Sequence, residues 1–323
     1  MLVPKAFRAG LKLAAAALSI LTAFPAFAQE KLENPYLYRA QKGSKVIHLF
    51  GTMHAGIEIE QVPEKILSLI DNADVVANEL GMKVASKSGE DAFAADKPLS
   101  EVLSPKAKQC LAENLPPLAD ALLNAKMSPS GLKQMLTMLL TGQLDKPVFD
   151  FQLAQYALQS KETVLALDDE EILKPALAEI FQKETGSEER EFEFMLCHLG
   201  EAATLMIANQ EALKEIYLSG VEFDPYVGVS ALITEKVRPL YKETLMRLNM
   251  TDLVEDMLKV EPTPKALLDD RNRAWIPKIE AMMEKNDRAF LFFGAAHLFG
   301  PAGVLKLLEE KGYTVTRVAV SDL

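Results

Sequence analysis

The stretch Ala289-Phe290-Leu291-Phe292-Phe293-Gly294-Ala295-Ala296-His297 decides the fold of this chain. Its first five residues are apolar without alternation, as in a strand that is buried on both faces of a parallel sheet. The stretch Val46-Ile47-His48-Leu49-Phe50-Gly51-Thr52-Met53-His54 repeats the design, an apolar strand followed by Gly-x-x-His. We expect each Gly to let the backbone turn sharply as it leaves the strand, so that the His points back over the edge of the sheet.

The segments around these two strands predict an α/β fold. Residues 36–50 read as a hairpin, and residues 63–79 as a helix followed by a strand, which gives a βαβ unit. Short strands are expected at 163–167 and 313–318. Thr263-Pro264 is a good helix start, and Pro277 is expected to kink or end the helix that begins there.

Helical patterns fill most of the middle of the chain, at about 99–160 and 170–260. We therefore predict a mixed, largely parallel central sheet with helices on both faces and a large helical insertion that forms a cap or second lobe. Residues 29–323 are assigned to a single domain that carries these insertions.

The first 28 residues are typical of a signal peptide. Basic residues precede an apolar run over 13–24, and Ala26-Phe27-Ala28 is a small-residue cleavage pattern. The run is shorter than the roughly 20 residues needed to cross a bilayer. We expect a mature chain that begins at Gln29, is periplasmic or secreted, and has no stable membrane insertion; an uncleaved anchor is the alternative.

Charge and cysteine content limit the classes of partner. The chain has 35 Lys and Arg against 46 Asp and Glu, a net charge of −11, and such a surface repels nucleic acid and anionic lipid headgroups. Cys110 and Cys197 lie in predicted helices. They either pair in an oxidising compartment or stay as two buried thiols, and the sequence leaves both open.

Four apolar strands are followed closely by a polar residue: His54, Glu79, Asp168 and His297. Ligands of open α/β sheets bind beyond the carboxyl ends of strands, so these side chains are expected to converge on one pocket. Two imidazoles and one carboxylate make a three-ligand metal site with a position left for water. We predict that His54, Glu79 and His297 are the metal ligands.

Each of these residues also has a structural interpretation. His54 can cap a loop, Glu79 can be a solvated strand-end carboxylate, and Asp168 stands where an N-cap is wanted before a predicted helix at 170–181. His48, inside a strand, and His198, in mid-helix, are interpreted as structural.

Arg271 is an independent indication of a site, because it falls in the apolar stripe of the helix that begins at Pro264. A guanidinium in that position must either pair with a buried carboxylate or reach a site. Asn272 beside it supplies both a donor and an acceptor.

These motifs resemble the TraB/GumN family, which is related to the Tiki metalloproteases and, more distantly, to the erythromycin-esterase and ChaN-like proteins. The resemblance covers nearly the whole mature chain and is carried by 48–54, Glu79-Leu80, Arg271-Asn272, 293–300 and 303–313. Where similar sequences tend to have Leu-Glu after the third strand, this chain has Leu167-Asp168. The role of that carboxylate therefore stays open.

The resemblance implies an α/β core, a metal and catalytic centre at His54, Glu79 and His297 with Arg271 and Asn272 in support, and, by way of the Tiki branch, peptide hydrolysis. We therefore expect an exported hydrolase that uses a divalent ion, Mn, Co or Zn, to activate water. Glu79 either completes the ligand set or accepts the proton of the water, and Arg271 either steadies the oxyanion or orients Glu79.

The alternatives are a binding protein that sequesters a peptide or haem-like ligand without turnover, and a structural partner in an envelope assembly. The substrate is expected to be a peptide or small molecule. The sequence leaves the oligomeric state open.

Overall fold

Six described strands form one mixed sheet in a computed structural model of the chain. The structure describes residues 31–54, 56–81, 94–142, 148–169, 171, 173, 186–260 and 262–323, without the side chains of 186–188. The strands are β1 (Tyr36–Lys42), β2 (Lys45–Thr52), β3 (Val75–Asn78), β4 (Leu165–Ala166), β5 (Arg288–Gly294) and β6 (Thr314–Arg317). The predicted signal peptide and nearly all of the helix expected at 170–181 lie outside the described residues.

The strand order is β4-β3-β5-β2-β1-β6. Strands β4, β3, β5 and β2 run parallel to one another, whereas β1 is antiparallel to both β2 and β6. This confirms the predicted mixed, largely parallel sheet. Strand β4 has only two residues, so the prediction of a strand over 163–167 was too long.

The two Gly-x-x-His segments leave the sheet side by side, because Gly51 pairs with Phe293 and Thr52 with Gly294. Neither glycine has a positive φ, so neither segment uses the left-handed backbone conformations that favour glycine. The reason at Gly51 is space. A Cβ there would lie 2.6 Å from Leu298 Cδ1 and 2.9 Å from Tyr36 Cβ, which no side chain can tolerate without displacing its neighbours.

Helices surround the sheet, as predicted. They are α1 (Glu64–Asn72), α2 (Leu99–Val102), α3 (Pro105–Asn114), α4 (Pro116–Leu123), α5 (Pro129–Leu140), α6 (Phe149–Ala157), α7 (Gly186–Cys197), α8 (Leu199–Ser219), α9 (Gly228–Arg247), α10 (Val254–Met257), α11 (Arg271–Lys285) and α12 (Val304–Glu310). Helices α1, α6, α11 and α12 contribute buried side chains to the core of the sheet.

The remaining helices have a separate apolar cluster of their own, built from α2 to α5 and α7 to α10. This is the predicted helical lobe. Helix α8 joins the two parts, because Leu205 belongs to the cluster of the lobe and Tyr217 to the core of the sheet. No helix of the described residues is both long and apolar enough to cross a membrane.

Helix α11 continues through Pro277, which excludes one of the two predicted outcomes, an end of the helix at the proline. Helical turns begin at Lys265, directly after Pro264, and a π-helix over Ala266–Asp270 leads into α11. The helix does not end at Pro277 and runs on to Lys285. Buried Trp275 and Ile279 stand on either side of the proline, and their packing offsets the lost backbone hydrogen bond.

Cys110 of α3 and Cys197 of α7 form a disulfide, which settles the alternative that the sequence left open. The two residues are 87 positions apart in the chain, so the bond closes a long loop inside the helical lobe.

We expect reduction of this disulfide to lower the free energy of unfolding by about 2–4 kcal/mol, because the unfolded chain regains the entropy of a long loop. Urea unfolding with and without reductant measures the difference. A Cys110→Ser, Cys197→Ser variant serves as the control, since its stability should be low and indifferent to reductant. An equal response of both proteins to reductant would contradict the expectation.

Candidate functional site

The four polar residues that follow strands all lie at the carboxyl edge of the parallel part of the sheet. In sheet order they are Asp168 after β4, Glu79 after β3, His297 after β5 and His54 after β2. We call these four residues the strand-end cluster: Arg271 bonds to Asp168, Glu79 and His297, and the charge of Glu79 acts on His54. The convergence predicted from the sequence is therefore present.

Arg271, the first residue of α11, is the centre of the strand-end cluster and is only 4% exposed. Its Nε and Nη2 donate to Asp168 at 3.0 and 2.6 Å, and Nη2 also donates to Glu79. Its Nη1 contacts His297 Nε2 and the Leu267 carbonyl, each at 3.1 Å. These contacts use all five N–H donors of a guanidinium.

The two carboxylates beside Arg271 are both largely buried. Trp275 Nε1 donates to Asp168 at 2.8 Å, so Asp168 belongs to the strand-end cluster and is more than a helix cap. Burial raises the pKa of Asp168, and the guanidinium opposes that rise. Burial alone would also raise the pKa of Glu79, but the charge of Arg271 holds it well below its usual range.

His297 is buried, and its ring orientation is fixed by Asn272. The Asn272 amide nitrogen donates to the carbonyls of His297 and Ala302, so its oxygen accepts from His297 Nδ1, 2.6 Å away. The Nε2 lone pair therefore faces Arg271 and Glu79 Oε1, the latter at 3.9 Å. Burial lowers the pKa of His297 to about 3, so the ring is neutral at physiological pH.

Gly294 leaves room between the two histidine segments. Its backbone N–H donates to Glu79 Oε1 at 2.8 Å. A Cβ at this position would lie 3.3 Å from His54 Nε2 and 3.4 Å from Glu79 Oε1. An imidazole nitrogen and a carboxylate oxygen therefore both lie next to the glycine, and even an alanine here would press on His54 by a few tenths of an ångström.

His54 has a partner that the sequence did not indicate. Its Nδ1 lies 2.8 Å from Asp150 Oδ2, and the other oxygen of Asp150 accepts from Thr52 Oγ1 at 2.6 Å. Asp150 raises the pKa of His54 to about 9. An acid in the first turn of a helix, here α6, is common for electrostatic reasons alone, so no sequence signal distinguished Asp150.

A cavity of about 400 Å³ opens beside the strand-end cluster, and we call it the site cavity. Its lining includes His54 and Gly294, and the side chain of His54 is 62% exposed. The other walls are mainly apolar and aromatic, with Tyr217, Phe223 and Tyr226 among them. The volume and lining are those of a small-molecule or side-chain binding site.

A family model of the TraB/PrgY/gumN family matches residues 36–317, which is most of the chain. The chain belongs to the TraB/PrgY/gumN family. This confirms the resemblance inferred from the motifs, and the match includes every member of the strand-end cluster of this TraB/PrgY/gumN protein. Neither a curated protein nor a solved structure matches the chain.

Metal binding was predicted from the same residues. Within the part of the chain that the structure describes, no group of three or more His, Cys, Asp or Glu side chains is arranged to hold a metal ion. Two atoms of the predicted ligands, Glu79 Oε2 and His297 Nε2, both contact Arg271.

The other two histidines lie outside the strand-end cluster. His48 is half-buried within β2, opposite Arg39 of β1, and His198 lies between α7 and α8 with its ring 5.7 Å from that of Phe194. Burial, with Arg39 adding to it, lowers the pKa of His48 to about 4.

The stability of the protein should fall at acid pH in part through His48. The pKa of His48 in the folded protein is below its value in the unfolded chain, so the unfolded chain takes up a proton before the folded protein does. Stability is therefore lost as the pH falls from about 6.5 to 4. We expect His48→Asn to reduce that loss by about 1–2 kcal/mol. Urea unfolding across this pH range measures it, with His198→Asn as the control; equal slopes in wild type and His48→Asn would contradict the assignment.

Proposed function

We propose that this protein is an exported, metal-dependent hydrolase that cleaves amide bonds, with peptides as the favoured class by family resemblance. The observation that carries the proposal is the meeting of His54 Nε2, His297 Nε2 and Glu79 at one strand-end edge beside a substrate-sized cavity.

The chemistry of the three donors fits a divalent transition metal. In each histidine the Nδ1–H is held by a neighbouring oxygen, of Asp150 or of Asn272, which leaves Nε2 as the atom available to a metal. His297 offers a lone pair there, whereas His54, whose pKa Asp150 raises to about 9, would have to release its Nε2 proton on binding. A hydrogen-bonded second nitrogen is the usual condition of a histidine that binds a metal. The guanidinium of Arg271 supplies positive charge to Glu79 and His297 in the present arrangement. Metal binding would require it to release His297.

Glu79 fits the role of ligand better than that of proton acceptor. Arg271 and the Gly294 N–H hold it as a carboxylate with a depressed pKa, and an efficient general base has a pKa nearer to the working pH. A bound divalent ion would lower the pKa of a water molecule towards neutrality and polarise the scissile carbonyl.

Arg271 fits the role of a positioning residue. All five of its N–H groups are engaged by protein atoms, so a role in steadying an oxyanion would require it to give up one of these bonds. Its bonds to Glu79 and Asp168 instead fix the carboxylate in place.

Export is supported by two features. The signal-like residues 1–28 precede the domain, and the Cys110–Cys197 disulfide suits an oxidising compartment.

Titration calorimetry with Mn²⁺, Co²⁺ and Zn²⁺ tests the proposed site. We expect one ion to bind per chain, and His54→Ala or His297→Ala to weaken that binding at least tenfold, as loss of a first ligand should cost no less than loss of an outer partner. His198→Ala removes an imidazole outside the strand-end cluster and should leave binding unchanged. Equal affinity in all four proteins would overturn the proposal. Metal and ligand binding without turnover of any peptide would favour the sequestering alternative.

A further inference from the structure

The helical lobe contains a second cavity, of about 320 Å³, which we call the lobe cavity. It lies between α5, α7, α8 and α9, and its apolar lining includes Phe194, Met195, Met206 and Ile233. None of its lining residues belongs to the strand-end cluster. Its volume is in the range of small-molecule sites.

Two helices line both cavities. On α8, residues from Ala202 to Leu213 border the lobe cavity, and Leu213, Ile216 and Tyr217 border the site cavity. These positions recur at spacings of three and four, so they form one face of the helix. Helix α9 does the same, with Val229 at the site cavity and Ile233 at the lobe cavity. Leu213 touches both cavities and is only partly buried, so it stands at their junction.

We propose that the site cavity and the lobe cavity form one tract that binds a long, unbranched alkyl chain attached to the amide that the enzyme cleaves. The face of α8 between Ala202 and Tyr217 is about 22 Å long, which suits a long fatty acyl group. The inference rests on the proposed function for the position of the amide next to His54.

An alkyl chain suits the lobe cavity better than a peptide does. Polar side chains on its wall already bond to protein groups: Lys133 to Glu191 at 2.9 Å, and Asn209 to Tyr241 at 2.6 Å. A peptide backbone in the cavity would lose hydrogen bonds to water with few groups to replace them, whereas an alkyl chain loses none. The methionines of the wall can repack around such a chain.

Calorimetry with N-alkyl-N′-methylureas that carry butyl, octyl, dodecyl or hexadecyl chains tests the tract without turnover. We expect affinity to rise with chain length, at most about tenfold for every two methylenes buried. Ile233→Trp, which fills only the lobe cavity, should weaken binding of the hexadecyl urea at least tenfold and leave the affinity for the butyl urea unchanged. Leu213→Ala, which opens the junction, should strengthen hexadecyl binding. Glu211→Trp, on an exposed position of the same helix, is the control.

An affinity that stops rising at butyl, or a hexadecyl affinity that neither Ile233→Trp nor Leu213→Ala changes, would overturn the tract. A tetraleucine amide that binds as tightly as the hexadecyl urea, and equally depends on Ile233, would overturn the choice of an alkyl chain. The metal titration can fail independently of these outcomes, because the alkyl chain would contact the helices of the lobe and not the strand-end cluster.

Discussion

Replacing Glu79 with Gln is expected to reduce amide hydrolysis by about 10³-fold and to weaken metal binding in parallel. The amide keeps the size of the side chain but removes the charge that would bind the ion, and loss of a direct ligand should cost more than the roughly 10–100-fold that is typical for an outer partner of a metal. Turnover of an N-acylpeptide library and metal titration on the same preparations measure the two effects.

Glu193→Gln is the matched control, since Glu193 lies in the helical lobe, where it pairs with Lys106 and accepts from Ser104. It should retain full turnover. Lost turnover with unchanged metal affinity in Glu79→Gln would show that Glu79 is the proton acceptor instead of a ligand. Unchanged turnover would remove Glu79 from the mechanism altogether.

Replacing Arg271 with Met should lower the free energy of unfolding by about 3–5 kcal/mol, because two largely buried carboxylates lose their cation. Arg271→Lys should recover only part of this loss, since an ammonium group cannot bond to Asp168 through two nitrogens as the guanidinium does. Urea unfolding at neutral pH measures all three proteins.

The control for Arg271 is Arg238→Met, which breaks an exposed ion pair with Glu255 and should change stability by less than about 1 kcal/mol. The deficit of Arg271→Met should also shrink at acid pH, as the stranded carboxylates become protonated. A loss no larger than that of Arg238→Met would mean that the buried charges are not coupled as described.

The strand-end positions could be predicted from the sequence because each is encoded locally. An apolar strand ends and a polar residue follows within a few positions, and a parallel sheet brings such ends to one edge. The same reasoning identified Arg271, since a guanidinium in an apolar stripe requires a buried partner. It left the partner of Arg271 open, and the structure supplies Asp168 and Glu79.

The features that could not be predicted from the sequence are those that depend on contacts between distant segments. Asp150 is 96 residues from His54 and looks like any acid at a helix start. The disulfide partners were similarly undetermined until α3 and α7 were seen side by side. At Gly51 the sequence suggested a backbone reason for the glycine, whereas the side chains of Leu298 and Tyr36 are what exclude a Cβ.

Anomalous diffraction from crystals grown with Mn²⁺ tests the central claim most directly. We predict one peak within bonding distance of His54 Nε2, His297 Nε2 and a Glu79 oxygen, with the guanidinium of Arg271 moved off His297. A peak elsewhere, or a fully loaded protein in which Arg271 still bonds to His297 and no ion touches the three side chains, would contradict it.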